Sequence, residues 1–434
     1  MLPFSTEILI IGAGPAGLAA AVAAAGQSSV ITVIDENQAP GGQIWRGGPR
    51  QWRDKRAHDL WSELANCLNV RIVYGVRIVA VTGSNEFLLE TADGAQKIKW
   101  NKLIVCSGAR ELLLPFPGWT LPGVTGAGGL QAMIKAGMPV AGKRVVVAGS
   151  GPLLLAVAES VVRAGGQVVS IVETKSTRDL FGFFVALFKG HRGKLMQSLK
   201  LFWQLKRVHY RHDARVVKAH GEQGLRGISL QHNGKQIELT CDLLACGFGL
   251  LPNLEMASLL TCDIADGRIV VDANQMTTRG DVWAAGEACG IGGVDKALAE
   301  GHIAGLTASG LSVSPDDVDR LSHARQFADL LQQSFALDSS LRKLCRSDTL
   351  VCRCEDVSAK QLSEYSDWRT AKLMTRAGMG ACQGRICGAA CQFIFGWDTP
   401  GLRQPVFPTK TSTLASLSVA SNNDQWRTIS NNKQ

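Results

Sequence analysis

The run Glu7-Ile-Leu-Ile-Ile-Gly12-Ala-Gly14-Pro15-Ala16-Gly17-Leu18 decides the fold. Four apolar residues, three of them β-branched, read as a buried strand. Glycines 12, 14 and 17 fit G-x-G-x-x-G, and an Ala-rich helix follows. The next strand, Thr32-Val-Ile-Asp35, ends on an acid 23 residues after Gly12. In that context the glycines have separate duties. Gly12 permits a tight turn, Gly14 lets the backbone approach a pyrophosphate, and Gly17 lets helix pack on strand. The helix N-terminus then offers free N–H groups to the anion. Asp35, with Glu36 beside it, is placed to accept hydrogen bonds from a ribose. Gly41-Gly42-Gln43 suits a backbone passing close to a flat ligand, or a plain turn.

The pattern recurs. Arg144-Val-Val-Val-Ala-Gly149-Ser-Gly151-Pro-Leu-Leu154 leads to Ser170-Ile-Val-Glu173, with Glu173 24 residues after Gly149. Two βαβ units in one chain predict an α/β protein with two Rossmann-like domains. The second loop has Leu154 where the third glycine belongs, so its helix should stand farther from the strand. Glu173 would repel a 2′-phosphate, which favours NAD over NADP if this site binds anything; an empty or blocked pocket is the alternative.

The rest of the chain fits this frame. Its 434 residues, 46% hydrophobic and 19% charged, suffice for two or three domains and exclude a disordered chain. The uncharged stretch from Ile8 to Ala25 is punctuated by glycine and proline and reads as strand, turn and helix, not a membrane span. No secretory signal is evident, so a cytoplasmic location is expected. Further strands are expected at Val70–Tyr74, Phe87–Thr91, Leu103–Cys106 and Asp242–Cys246, and a helix at Ser322–Phe335. The domain reading is a first dinucleotide domain over 1–125 completed by 251–310, and a second over 126–250. A linker (311–343), a cysteine module (344–395) and a tail (396–434), Ser/Asn-rich and disordered after Ser416, follow.

The net charge of +9 is local. Between Lys175 and Lys218 stand 11 Lys/Arg and two acids, Asp179 and Asp213; the remainder is balanced. This basic insertion (175–218) interleaves apolar runs with cations. A helix on a membrane surface, a subunit interface and an ordinary helical insertion all fit. Nucleic-acid binding does not, since no helix-turn-helix pattern accompanies the charge.

Of 12 cysteines, four form a C-x-C…C-x4-C pattern: Cys352, Cys354, Cys382 and Cys387. Two close pairs of thiolates suit a [2Fe–2S] cluster, one pair per iron; zinc is the competing reading and Cys391 a substitute ligand. The Cys241-x4-Cys246 pair is expected on opposite faces of one strand. No active-site dithiol follows Gly41-Gly42 or lies between Gly126 and Lys143, which argues against a disulfide reductase. His302 is expected near the first site or as a packing residue.

Gly12–Gly17, Asp35, Gly41-Gly42-Gln43 and Cys106-Ser-Gly108-Ala109-Arg110 resemble the FAD half of two-dinucleotide-domain flavoproteins. So does Thr277-Thr-Arg-Gly-Asp-Val-Trp-Ala-Ala-Gly286-Glu287, with Glu287 in place of the usual aspartate near the flavin ribityl chain. A closer match covers about residues 5 to 415. Pro115-Phe-Pro-Gly-Trp-Thr-Leu-Pro-Gly-Val124, Gly290-Ile-Gly-Gly-Val-Asp-Lys-Ala-Leu-Ala-Glu-Gly301 and Thr375-Arg-Ala-Gly-Met-Gly-Ala-Cys-Gln-Gly-Arg-Ile-Cys387 are similar to the α chains of heteromeric amine dehydrogenases. That group includes the A subunit of opine oxidase, D-hydroxyproline dehydrogenase α chains and the hydrogen cyanide synthase flavoprotein subunit. The resemblance implies a flavin-dependent oxidoreductase subunit with FAD at the first fold and a bacterioferritin-associated-ferredoxin-like [2Fe–2S] module. It implies electrons taken from a partner β chain of amine oxidase type with its own FAD, in several members through FMN at the subunit interface. The same expectation includes a small ferredoxin-like subunit; a peripheral place at the inner membrane face is expected only on the membrane-surface reading of the basic insertion.

Overall fold

A computed structural model describes residues 2–26, 29–398 and 401–417. The chain forms two compact units. The first comprises 1–108, 252–321 and 401–434, the second 109–251 and 322–400.

The first unit is built on a seven-stranded sheet. Val70–Tyr74, Ile31–Asp35, Ser5–Ile11 and Gly94–Val105 lie side by side in parallel, and Val282–Ala284 adds to the last of them. Gly94–Val105 then continues antiparallel into Glu86–Thr91 and Arg77–Gly83. The parallel strands are buried on both faces, so they read as continuous apolar runs. The helix Pro15–Ala25 covers one face, and the helix Val294–Ala308 packs against it. Gly301 and Gly305 make that approach close. A Cβ on Gly301 would stand 2.1 Å from the Ala16 carbonyl oxygen, and one on Gly305 2.3 Å from that of Ala20.

The second unit repeats the plan. A five-stranded parallel sheet runs His209–Arg211, Gln167–Glu173, Arg144–Gly149, Leu243–Gly247, Val124–Gly126. An antiparallel sheet of Ala214–His220, Gly227–His232 and Lys235–Thr240 joins it. The basic insertion opens with two helices, Thr177–Gly190 and Arg192–Gln204, joined at His191. A small cysteine-bearing region carries a hydrophobic core of its own, built on Val351, Leu362, Trp368, Ala371, Ala390 and Trp397.

Two local expectations are corrected, the bounds of the linker helix and the placement of the Cys241 and Cys246 pair. The linker helix begins earlier, at Pro315, and runs to Ser334. Ser314-Pro-Asp-Asp317 starts it: the Asp317 amide donates to the Ser314 hydroxyl, whose O–H returns to the carboxylate at 2.7 Å, with proline at the first helical position. Cys241 precedes the strand Leu243–Gly247, so it shares one core with Cys246 and the opposite-face expectation fails. The first stretch of the tail is packed on the first sheet: Val406 N donates to Val79 O, and Glu90 accepts from Lys410 N and Thr413 Oγ1. Except for Leu417, the Ser/Asn-rich stretch after Ser416 lies outside the described residues. His302 lies 3.5 Å from Asp317, a surface ion pair.

Candidate functional site: two glycine loops and a thiol chain

The first glycine loop has the geometry its residues imply. Gly12 has φ +100°, and a Cβ there would stand 2.4 Å from the Cys106 carbonyl oxygen. A Cβ on Gly17 would stand 1.8 Å from the Gly12 carbonyl oxygen, so only glycine lets the helix start this close to the strand. Gly14 differs. Its Cβ direction meets only the Gly42 Cα, at 3.8 Å. Pro15 opens the helix and no side chain caps it, so Ala16 and Gly17 begin a helix whose N-terminal partial charge has no side-chain partner. Gly41 and Gly42 both have positive φ; Gly41 serves the turn, because a Cβ would meet the Trp45 carbonyl oxygen at 2.1 Å. Gln43 accepts from Arg46 on the surface.

Asp35 is buried and works on the loop itself. Its carboxylate accepts from Ala13 N at 2.7 Å, from Asn37 N at 2.7 Å and from Asn37 Nδ2 at 2.8 Å. Glu36 is exposed, 3.8 Å from Arg77. Gly108, φ +68°, ends the next loop, where its carbonyl accepts from Asn253 N and Ser107 Oγ donates to Asn253 O. Ala109 begins the strand Ala109–Glu111 in the second unit.

Glu287 sits in a single 3-10 turn, Gly286–Cys289. Its Oε1 accepts from Gly293 N at 2.7 Å, and burial pushes its carboxyl above the usual range. Its Oε2 is buried with no protein partner. A buried carboxylate oxygen without a donor is costly, and a ligand hydroxyl would satisfy it. The uncapped helix N-terminus at Gly14 and this oxygen together fit a flavin dinucleotide. Two residues overlooked in the sequence hold the turn. Glu300 accepts from Gly286 N at 3.0 Å, and Lys296 donates to the carbonyls of Gly286 and Gly290 while pairing with Glu300 at 2.8 Å. Both were visible in Asp295-Lys-Ala-Leu-Ala-Glu300 as an i, i+4 pair; their burial was not.

The second loop copies the first up to the ligand. Glu173 accepts from Gly151 N at 2.9 Å and from Lys175 N at 3.0 Å, as Asp35 does from Ala13 and Asn37; the longer side chain reaches one residue farther along the loop. Burial raises the Glu173 carboxyl. A tyrosine flanks each acid: burial and Asp35 push Tyr74 up to about 12, and burial and Glu173 push Tyr210 up. Gly149 is again essential, since a Cβ would meet the Gly247 carbonyl oxygen at 1.9 Å. Leu154 is buried in the core beside Gly247, which makes room for it. The difference lies at Gly151. Its Cβ direction, which in such a loop faces the pyrophosphate, meets the Phe335 ring at 3.6 Å. Phe335 is steadied edge-on by Phe183 at 4.9 Å, and Lys175 donates to the Ala336 carbonyl at 2.7 Å.

The four patterned cysteines converge. Cys387 hydrogen-bonds to both Cys352 and Cys382, and Cys382 contacts Cys354. Cys387 begins the helix Cys387–Phe395, while Cys352 ends the short strand Leu350–Cys352. Bonding to Cys387 lowers the Cys352 thiol to about 6 and Cys382 to about 4. Backbone N–H groups add to this, from Gly378, Glu355 and Cys354 on Cys352 and from Ile386 and Gly384 on Cys382. The Cys387 thiol is correspondingly raised. Among the described residues no group of three or more His, Cys, Asp or Glu is disposed to hold one metal ion. A binuclear cluster would ask for four thiolates, two per iron; Cys352 and Cys382, one from each close pair, are lowered, whereas Cys354 and Cys387 are raised. Cys391 lies buried in the same hydrophobic core as Cys352 and Cys387. Nearby, Trp119 donates to the Leu350 carbonyl at 2.6 Å and stacks under Arg353, walling a cavity of about 160 Å³ with Phe116 and Phe248.

Comparison with known proteins agrees with this geometry. The family model described as pyridine nucleotide-disulphide oxidoreductase matches residues 6–301. The A subunit of opine oxidase from Rhizobium meliloti is 31% identical, with 88% of this chain and 90% of that one aligned. Hydrogen cyanide synthase subunit HcnB of Pseudomonas protegens is 29% identical over 89% of this chain and 91% of that one. In fold, the chain resembles L-proline dehydrogenase from P. horikoshii (TM-score 0.64, 19% identity, 94% of this chain and 79% of that one). It also resembles T. acidophilum thioredoxin reductase (TM-score 0.53, 20% identity, 71% and 99%). The chain belongs to the pyridine nucleotide-disulphide oxidoreductase family and is a FAD-dependent oxidoreductase, similar along most of its length to subunits of opine oxidase and hydrogen cyanide synthase.

Proposed function

We propose that this protein is the electron-accepting subunit of a heteromeric dehydrogenase that oxidises an amine. A partner chain would remove two electrons and two protons across a CH–NH bond, giving an imine. This chain would carry the electrons onward to an acceptor. The relatives' names, each a subunit, support the partner, and the opine relatives support an amine of opine or amino-acid type. FMN at the subunit interface and a small ferredoxin-like subunit remain part of the reading on the same ground.

The observation that carries it is the thiol chain of Cys352, Cys387, Cys382 and Cys354 amid backbone N–H groups. Gly12, Gly14, Gly17, Gly42 and Asp35 would hold FAD at the first loop, and Glu287 Oε2 would accept from a ribityl hydroxyl. When bound, the flavin would take electrons in pairs and the cluster singly. The chain's own residues position and tune these groups. The N–H donors on Cys352 and Cys382 would stabilise the more negative state of a cluster, and Glu300 and Lys296 would fix the Glu287 turn.

Phe335 at Gly151 speaks against a self-contained NADH-dependent reductase, because it fills the space a pyrophosphate would use. The test is an anaerobic absorption spectrum of the purified chain, with flavin and iron assayed on the same sample. Flavin with about two irons per chain supports the reading. Flavin without iron, or rapid flavin bleaching by NADH alone, overturns it.

A further inference from the structure

Apart from Lys175, Phe183 and Tyr210, which pack at the second glycine loop, the basic insertion has no duty at either loop or at the thiol chain. Its two helices are anchored from below by Leu187, Leu195 and Leu205, all buried. Their outer sides are not polar. Phe181 is 68% exposed, Phe188 60%, Met196 65% and Trp203 70%. The spacing is regular: Phe181 and Phe188 are seven apart on the first helix, and Met196, Leu199 and Trp203 recur at i, i+3 and i+7 on the second. Each set therefore forms one stripe.

Cations lie within the same stripes. Lys200 shares the arc of Met196 and Trp203 on the second helix. Arg192 stands 5.7 Å over the Phe188 ring and Lys206 5.0 Å over that of Trp203. Acids are nearly absent. The one acid on these helices, Asp179, is tied to the Ser176 hydroxyl at 2.7 Å in a capping box. Two helices of 14 and 13 residues are too short to cross a bilayer, and among the described residues no helix is long and apolar enough to do so.

We infer that this face is a membrane-docking surface, in which the two helices lie in the plane of an anionic leaflet with Phe181, Phe188, Met196 and Trp203 inserted among the acyl chains. The charge decides between lipid and protein. Protein interfaces take up aromatics and arginine but exclude lysine from their centres. Here Lys189, Lys200 and Lys206 lie among the apolar residues, and the one acid on the two helices, Asp179, is held in the capping box. A layer of anionic headgroups complements every one of these cations, and their aliphatic stems reach along the apolar side chains. Outside the insertion the chain's positive and negative residues balance.

The experiment is co-sedimentation of the full chain with phosphatidylcholine vesicles, with and without phosphatidylglycerol, at two salt concentrations. Binding is expected only to the anionic vesicles and should weaken at least tenfold as salt rises from about 50 to 500 mM. The exposed-residue variants Phe188→Ser/Trp203→Ser and Lys200→Glu/Lys206→Glu should each lose at least tenfold in partitioning, with melting temperature and flavin content unchanged. Quenching by brominated lipid should fall in Trp203→Phe. No partitioning, equal partitioning to neutral vesicles, or unaltered binding by both variants overturns the inference. So does self-association, or capture of a protein partner, through this face without lipid binding.

Discussion

Lys296 and Glu300 form an ion pair at 2.8 Å with side-chain exposures of 6% and 1%, and together they grip both ends of the Gly286 peptide. Glu300 takes its N–H and Lys296 its carbonyl. The next residue is Glu287, so the pair sets where that carboxylate stands. Removing one partner leaves an uncompensated buried charge. Lys296→Met or Glu300→Leu should destabilise the fold by about 3–5 kcal/mol and lower flavin content. Denaturant unfolding with flavin absorbance checks this; a change under 1 kcal/mol would make the pair dispensable.

Asp35 should act through the loop. Asp35→Ala frees the Ala13 and Asn37 amides and should weaken flavin retention at least tenfold, as read by dialysis and absorbance. Glu36→Gln, on an exposed residue, should have a smaller effect. The reverse order would show that Glu36 is the principal ligand.

Phe335 should be the obstacle at the second loop. The wild type is expected to bind NADH no better than millimolar, and Phe335→Ala to gain at least tenfold, by titration of NADH fluorescence. Micromolar NADH binding by the wild type would refute the obstruction.

The cysteines should separate from the flavin. Cys382→Ser/Cys387→Ser is expected to remove the iron and leave flavin content unchanged, since the first glycine loop and the thiols belong to different units of the chain. Loss of both would mean that the substitution unfolds the protein.

Stability should depend on pH in a stated direction. Glu287, Glu173 and Glu111 are raised by burial above the ordinary 4.5. Each binds protons more tightly folded than unfolded, so its contribution is full below 4.5 and declines as pH rises through the folded value. Asp242, bonded to Arg144 and lowered to about 2, works oppositely: its contribution is present above 3.8 and lost as pH falls through about 2. Melting temperatures of the flavin-free chain should therefore fall as pH rises from 5 to 8. Glu287→Gln should flatten that fall.

The sequence by itself determined both βαβ units, because a glycine turn between an apolar strand and a helix is a local demand of backbone sterics. Gly12, Gly17 and Gly149 each sit where a Cβ would strike a carbonyl oxygen. It also paired the cysteines, since C-x-C and C-x4-C fix which sulfurs start near one another. Only the tertiary structure decided what the loops can do. Gly14 faces the backbone of Gly42, whereas Gly151 faces a phenyl ring from a residue 184 positions away in sequence, for which no pattern near Gly151 could speak. The orphaned Glu287 oxygen and the burial of Lys296 with Glu300 are likewise products of packing. Burial is a property of neighbours that the chain supplies from afar, so a motif can specify a site's backbone while the fold decides whether the site is open.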